Sequence, residues 1–374
     1  MGGDFDSVRS EHEDRAMNRL GLDPSVRTVA DVGSVMSARS TPAAATVGSI
    51  IYLFGGGFDD YLGRTVTFYD TTFAFDPDTL SMAELAPTGQ VPGPRVFSAA
   101  AGDEEHGDVY VFGGSTYNHD FSHLVAFGEL YRYDVASNEW HLAADASQGP
   151  GPRIRPNMWT FDGGIYVFGG LDGTVKNHSD LWRFDTTEQS WTQLAGDSEM
   201  LGGRYEAVSS NTSHHGLAFA VGGETIRSDF TAAYTPGTLE IDLATGTVAQ
   251  LDVPLEHDIA MGMRHMAAAA IVDGTFYIYG GDDPTDKRLG CGSPHGENPT
   301  GALWIFDIEQ RTWRLSSTEG PALKRTVASV ANGKMCVFAG WDFECVDGVG
   351  RGQVWNTKVV EIDPVGAATG SPHR

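Results

Sequence analysis

IYLFGG (51–56), VYVFGG (109–114), IYVFGG (165–170), AFAVGG (218–223), FYIYGG (276–281) and MCVFAG (335–340) are six versions of one phrase. The first small residue of each closing pair falls at 55, 113, 169, 222, 280 and 339, giving steps of 58, 56, 53, 58 and 59 residues. A unit recurring at such a period signals a propeller or a solenoid. Each run is too short for a typical helix and rich in β-branched and aromatic residues, so it reads as a buried strand. The glycines end it where the backbone must turn sharply.

Other features keep phase with the glycines. An Asp-ending strand follows each pair: FAFD (73–76), LYRYD (130–134), LWRFD (181–185), LEID (239–242), LWIFD (303–307) and VVEID (359–363). Trp140, Trp191 and Trp313 then open a fourth strand, with weaker versions in repeats 1 and 4. Small-residue strands such as SAAAG (98–102) and AAAA (267–270) precede the glycine runs and suit the crowded axis of a ring. Each unit is therefore four strands, one propeller blade.

Double glycine, aromatic-x-x-Asp, then Trp about six residues on: over residues 24–364 this pattern resembles the kelch family. The resemblance implies an all-β, six-bladed propeller with four antiparallel strands per blade. Repeat 4 departs from it by lacking the Trp, and repeat 6 by carrying Ala339-Gly340. Repeat 6 also ends at Asp363 without a following Trp strand. In repeats 2 and 3 the Trp stands 13 residues before an Arg, and the same count back from Arg39 reaches Val26. Residues 25–32 are thus expected to pair with the last blade and remove its open edge. Residues 1–23 read as an extension with a short capped helix over 6–20, and 365–374 as a flexible tail.

The formal net charge of -25 argues against nucleic acid or an anionic membrane as partner. No apolar run reaches the roughly 20 residues of a membrane helix. The N-terminus, MGGDFDSVRSEHEDR, has no apolar core, and three cysteines form no disulfide framework, so a cytoplasmic location is expected. Cys336 reads as core, while Cys291 and Cys345 fall in loops of neighbouring blades.

Function is expected in the long loops after the glycine pairs, roughly 57–71, 115–128, 171–180, 224–237, 282–301 and 341–357. Arg39, Arg95, Arg153, Arg204, Arg264 and Arg325 stand before the first strands. They line an anion-binding mouth or pair structurally with loop carboxylates; guanidinium suits carboxylate and phosphate. Arg155, Tyr61, Tyr205 and Trp341 join them as ligand-binding candidates. Glu224 or Asp282 is the candidate base, with Arg204 or Arg264 stabilising negative charge and His265 close by.

Glu224, Asp229, His119, His123 and His178 form a mixed N/O set for a divalent metal such as Fe(II); solvated loop polars are the alternative. Part of this set is similar to plant specifier proteins, kelch propellers acting on glucosinolate breakdown products, in which Glu, Asp and His at four-residue steps after a double glycine hold iron. Here Glu224 follows Gly222-Gly223, but the next steps are Ser228 and Ala232, with Asp229 one residue late; repeat 5 reads Asp282, Asp286, Gly290.

The reading is a small-molecule enzyme acting on an anionic polar metabolite at the channel mouth, of isomerase, lyase or cyclase type, with metal assistance as one form. The alternative is a protein-interaction scaffold clamping an acidic peptide on the same face. A deep pocket with converged acids and bases favours the first. An open rim with exposed Tyr61, Phe121, Phe230 and Trp341 favours the second.

Overall fold

The computed structural model describes residues 23–60, 63–120, 122–227, 231–253, 265–282, 299–346 and 349–364. The expected helix over 6–20 and the tail 365–374 lie outside them. The described residues form strands, turns and loops with no helix, arranged as six blades.

Blade 1 runs from the axis outward as Ala43–Val47, Ile50–Phe54, Thr72–Asp76 and Ser81–Leu85. Blade 3 (Asn157–Phe161, Gly164–Leu171, Asn177–Asp185, Ser190–Ala195) and blade 5 (Ala268–Val272, Thr275–Tyr279, Ala302–Asp307, Thr312–Glu319) repeat that antiparallel order. Blade 2 has Ala99–Asp103, Asp108–Phe112, Leu130–Asp134 and Glu139–Ala144, extended by a parallel two-residue strand, Thr88–Gly89. In blade 6, Val327–Ala331, Lys334–Phe338 and Lys358–Asp363 are completed by Ser25–Asp31 from the other end of the chain, with Val26 opposite Ile362. The ring is thereby closed without a free edge at the seam.

The inner strands of adjacent blades touch, and alanines such as Ala45, Ala101 and Ala270 make that approach sterically possible. Aromatic residues fill the widening space outside them. Trp140 reaches from blade 2 to Phe54 of blade 1, edge-on at 5.1 Å, and its indole N–H donates to Thr72 Oγ1 at 3.2 Å. Backbone bonds also stitch neighbouring blades. The N–H of the second glycine of one blade donates to a carbonyl two residues before the next blade's inner turn: Gly56 to Arg95, Gly114 to Arg153, Gly170 to Arg204, Gly281 to Leu323 and Gly340 to Arg39, all between 2.8 and 3.0 Å.

Blade 4 differs from the four-strand expectation. It has three strands, Leu217–Val221, Thr238–Asp242 and Thr247–Leu251, and its inner strand shrinks to one bridge, Val208 to Val221. The polar stretch Ser209-Ser210-Asn211 leaves the blade there. Asn211 Nδ2 donates to the Ala44 carbonyl of blade 1 at 2.7 Å and to Ser329 Oγ of blade 6 at 3.1 Å. Blade 4 lies across the ring from blade 1, so this side chain crosses the axis and plugs it.

Candidate functional site

Four of the arginines expected around an anion-binding mouth are turned into their own blades. Arg39 Nη1 donates to the Gly55 carbonyl at 2.9 Å, Arg95 Nη1 to Gly113 at 3.2 Å and Arg204 Nη1 to Gly222 at 3.0 Å. Arg153 pairs with Asp180 at 2.8 Å. Arg39 also lies over the Tyr69 ring, 4.0 Å from its centre, and Arg95 over Phe127 at 4.3 Å. Burial pulls Arg39 and Arg204 down to about 10, which leaves both charged at neutral pH. Arg39, Arg95 and Arg204 clamp the glycine turns; Arg264 lies outside the described residues.

Arg325 is out of phase with that set. Its carbonyl does not take a glycine N–H; Leu323, two residues earlier, fills that role. Arg325 belongs instead to a second ring, two residues after each clamp position: Thr41, Phe97, Arg155, Glu206, Met266 and Arg325. All six adopt left-handed backbone, with φ between 42° and 62°. Non-glycine residues in that region are strained, and such strain clusters at functional sites. Bonds from Arg155 N–H to Phe97 O, Arg325 N–H to Met266 O and Thr41 N–H to Arg325 O run around the axis at 2.8–2.9 Å.

The residue before each ring member bridges to the residue after the same blade's glycine pair. Tyr205 thereby faces Glu224, His265 faces Asp282, and Lys324 faces Trp341. Blades 4 to 6 carry ionisable side chains at these positions, and the repeat geometry stacks them together. Lys324 Nζ donates to Asp282 Oδ2 at 2.7 Å. Arg325 Nη1 and Tyr117 Oη donate to Asp59 Oδ2 at 3.1 and 2.9 Å. His265 Nε2 lies 3.4 Å from Glu224 Oε1 and 3.8 Å from Asp282 Oδ2, with the Tyr234 ring 5.2 Å away.

Glu206 completes the group. It is 1% exposed, and neither carboxylate oxygen has a hydrogen-bond partner among the described residues. Ligand-capable atoms of Glu206, Glu224 and His265 all lie within 4.8 Å of one another. Burial and then the Glu206 charge push Glu224 up to about 8, while burial holds His265 down at about 4 and so uncharged. Burial also lowers Lys324, against the pull of Asp282.

Below the ring lies an axial chamber of about 110 Å³, walled by inner-strand alanines and reaching Asn211. That volume accommodates several waters or a small organic molecule. Thr41, Arg155 and Thr326 line it. The hydroxyls of Thr41 and Thr326 and Nη1 of Arg155 are buried without a partner among the described residues. Arg155 and Glu206 are consecutive members of the left-handed ring, so the chamber and the acid–His group adjoin.

With the geometry in hand, comparison with known proteins gives the family. The KLHDC2/KLHL20/DRC7 Kelch-repeats domain matches residues 41–251, and the Kelch motif matches residues 263–318. The chain belongs to the kelch-repeat family. It is 29% identical over 177 residues to N-(sulfonatooxy)prop-2-enimidothioate sulfolyase of Thlaspi arvense, covering 45% of this chain and 47% of that one. It is 26% identical over 168 residues to human Kelch domain-containing protein 3, covering 43% and 42%. With Tip elongation aberrant protein 3 of Schizosaccharomyces pombe it shares 25% over 205 residues, 55% of this chain and 14% of the relative. The chain thus spans less than half the length of these relatives.

This kelch propeller brings together Glu224, Asp282 and His265 from the expected set, with Arg325 and Arg155 beside them. The clamp arginines and His119, His123 and His178 lie apart, while Tyr205 and Trp341 border the group. Trp341 is wholly buried under Lys324, whose Nζ sits 5.1 Å from the ring centre, and so is no exposed aromatic. Tyr205 is partly buried beneath the ring, and burial raises its phenol well above the usual range. Of the expected metal set, the described members His119, His123, His178 and Glu224 are spread over three blades. His119 and His123 are exposed on blade 2's loop, with His123 bonded to Asn118 and Ser122. His178 sits in blade 3 with its nitrogens 3.2 Å from Asp172 and Asp197. Tyr61, Asp229, Phe121, Phe230 and Cys291 fall outside the described residues. Asp59 and Tyr117 come from the loops where function was expected, whereas Glu206 and Lys324 were not anticipated.

Proposed function

We propose that this kelch propeller is an enzyme acting on a small anionic polar molecule bound on the axis. Glu206, Glu224 and His265 are the reactive group, and Arg155, Thr41 and Thr326 contact the anion. The observation that carries this reading is the convergence of buried, unanswered polar atoms. Glu206 presents two bare carboxylate oxygens beside a chamber that holds three bare donors. Buried polar groups are ordinarily satisfied. Groups left open at one place suit a ligand that completes them. Two carboxylates and an imidazole support lyase or isomerase chemistry, by moving a proton where they are free or by polarising a bound anion where they hold a cation. The likeness to a sulfolyase is consistent with that class.

Kelch propellers commonly mediate protein interactions, and the likeness to Kelch domain-containing protein 3 favours a scaffold as the second reading. Equilibrium dialysis separates the two, using small carboxylates, phosphates and sulfates against acidic peptides. The enzyme reading expects saturable binding of a small anion, weakened about tenfold to a hundredfold by Arg155→Met, which removes charged hydrogen bonds. Binding of peptides alone, indifferent to that substitution, overturns it.

A further inference from the structure

We infer that Glu206, Glu224 and His265 bind one divalent cation of the first transition row. The three come from two adjacent blades. The Tyr205–Glu224 bridge aligns the two glutamates, and the His265–Asp282 bridge brings the imidazole alongside. Their ligand atoms lie within 4.8 Å of one another. Metal bonds of about 2.0–2.2 Å draw such atoms to roughly 3–3.5 Å apart, so closure needs shifts of about an ångström.

The decisive feature is what these atoms lack. Glu206 is 1% exposed, and both of its oxygens are without a partner among the described residues, while His265 turns Nε2 toward Glu224. An isolated buried carboxylate is strongly unfavourable, and a cation answers it directly. The neighbouring carboxylates already have cations of their own, Lys324 for Asp282 and Arg325 for Asp59.

A second group of similar spacing, His178, Asp180 and Asp197, shows the contrast. There each His178 nitrogen faces a carboxylate. Asp180 accepts from Arg153 and from the Trp182 indole, both at 2.8 Å, and Asp197 pairs with Lys176 at 2.6 Å. That group is complete without a metal. The mouth group is not.

One imidazole and two carboxylates suit Fe(II), Mn(II) or Zn(II) better than Ca(II) or Mg(II). Three protein ligands leave coordination positions for water or a bound molecule. With the divalent ion present, two glutamates and Arg155 sum to a net charge of +1, which suits an anionic guest.

The test titrates Co(II) into the chelator-treated full chain, followed by visible absorption and calorimetry. One Co(II) per chain with ligand-field bands is expected, displaced by Zn(II). Glu206→Gln and His265→Ala, checked for folding by circular dichroism, should each weaken binding at least tenfold, while His178→Ala leaves it unchanged. X-ray absorption of the Zn(II)-loaded wild-type chain should give one imidazole and otherwise oxygen, a readout independent of any variant's folding. No saturable Co(II) binding overturns the inference. So does affinity untouched by Glu206→Gln and His265→Ala, or a first shell with sulfur or several imidazoles. Small-anion binding at Arg155, measured in chelator-treated protein, reports separately on the proposed function.

Discussion

Arg204 shows how one side chain can look functional and be structural. Its guanidinium donates to the carbonyls of Gly222, Thr235, Pro236 and Gly237 and to Gln250 Oε1, at 3.0 to 3.4 Å. It ties the glycine turn of blade 4 to the return of the following loop. Replacing it with Met should destabilise the protein by roughly 2–4 kcal/mol, because several charge-assisted bonds vanish and buried carbonyls are left bare. Urea unfolding measures this. Small-anion binding should survive under conditions where the variant is folded, and loss of that binding without loss of stability would contradict the clamp. The sequence displayed these arginines but not the direction they point. It did hold a warning about phase: five of them stand 16 or 18 residues before their glycine, whereas Arg325 stands 14 before Ala339. Counting 14 or 16 back in every repeat yields Thr41, Phe97, Arg155, Glu206, Met266 and Arg325. Glu206 was missed because the count was anchored on arginine rather than on glycine.

At the scale of strands, the glycine runs were legible because each serves two steric demands at once. Gly113 has φ 69°, and a Cβ there would stand 2.5 Å from the Arg153 carbonyl of the next blade. Gly113→Ala therefore meets both backbone strain and a clash with backbone that cannot swing away. A loss of roughly 2–3 kcal/mol is expected in chemical denaturation, and an unchanged midpoint would show that the two blades slide apart more easily than the geometry implies. The inner strands were legible for a related reason, since only alanines and other small residues fit near the axis. The irregular blade 4 was less so. Its run SSNTSHH (209–215) carries no apolar alternation, but polar runs also mark ordinary hairpins, and only long-range contacts identify Asn211 as a plug.

At the scale of the whole ring, the seam holds the fold. Ser25–Asp31 completes blade 6, and Arg27 meets Glu361 at 2.6 Å. Just upstream, Asp23 fastens the same segment to blade 5: it accepts from the Ser317 hydroxyl, the Ser317 N–H at 3.0 Å and Arg314 Nη1 at 2.7 Å. The Ser317 hydroxyl is the largest influence lowering Asp23 to about 2, against burial and aided by Arg314. The folded value lies below the unfolded one, so the stabilisation is full above about pH 4 and disappears as pH falls through about 2. Thermal melts of wild type and Asp23→Asn should differ at pH 7 and converge toward pH 2; a gap independent of pH would mean that the carboxylate charge plays no part. The closing strand could be read from the missing Trp strand of repeat 6. The ionic latch could not, because nothing local to Asp23 announces a partner nearly three hundred residues away.

Asn211 turns what would be a tunnel into a cup. In a through-bore, a reactant can arrive on one side while the spent molecule drains from the other. Here the amide bonded to the Ala44 carbonyl stands across that passage, so a molecule held in the chamber is expected to come and go from the ring side alone. An occupant that lingers excludes its successor, so exchange in such a vessel is set by how fast it empties.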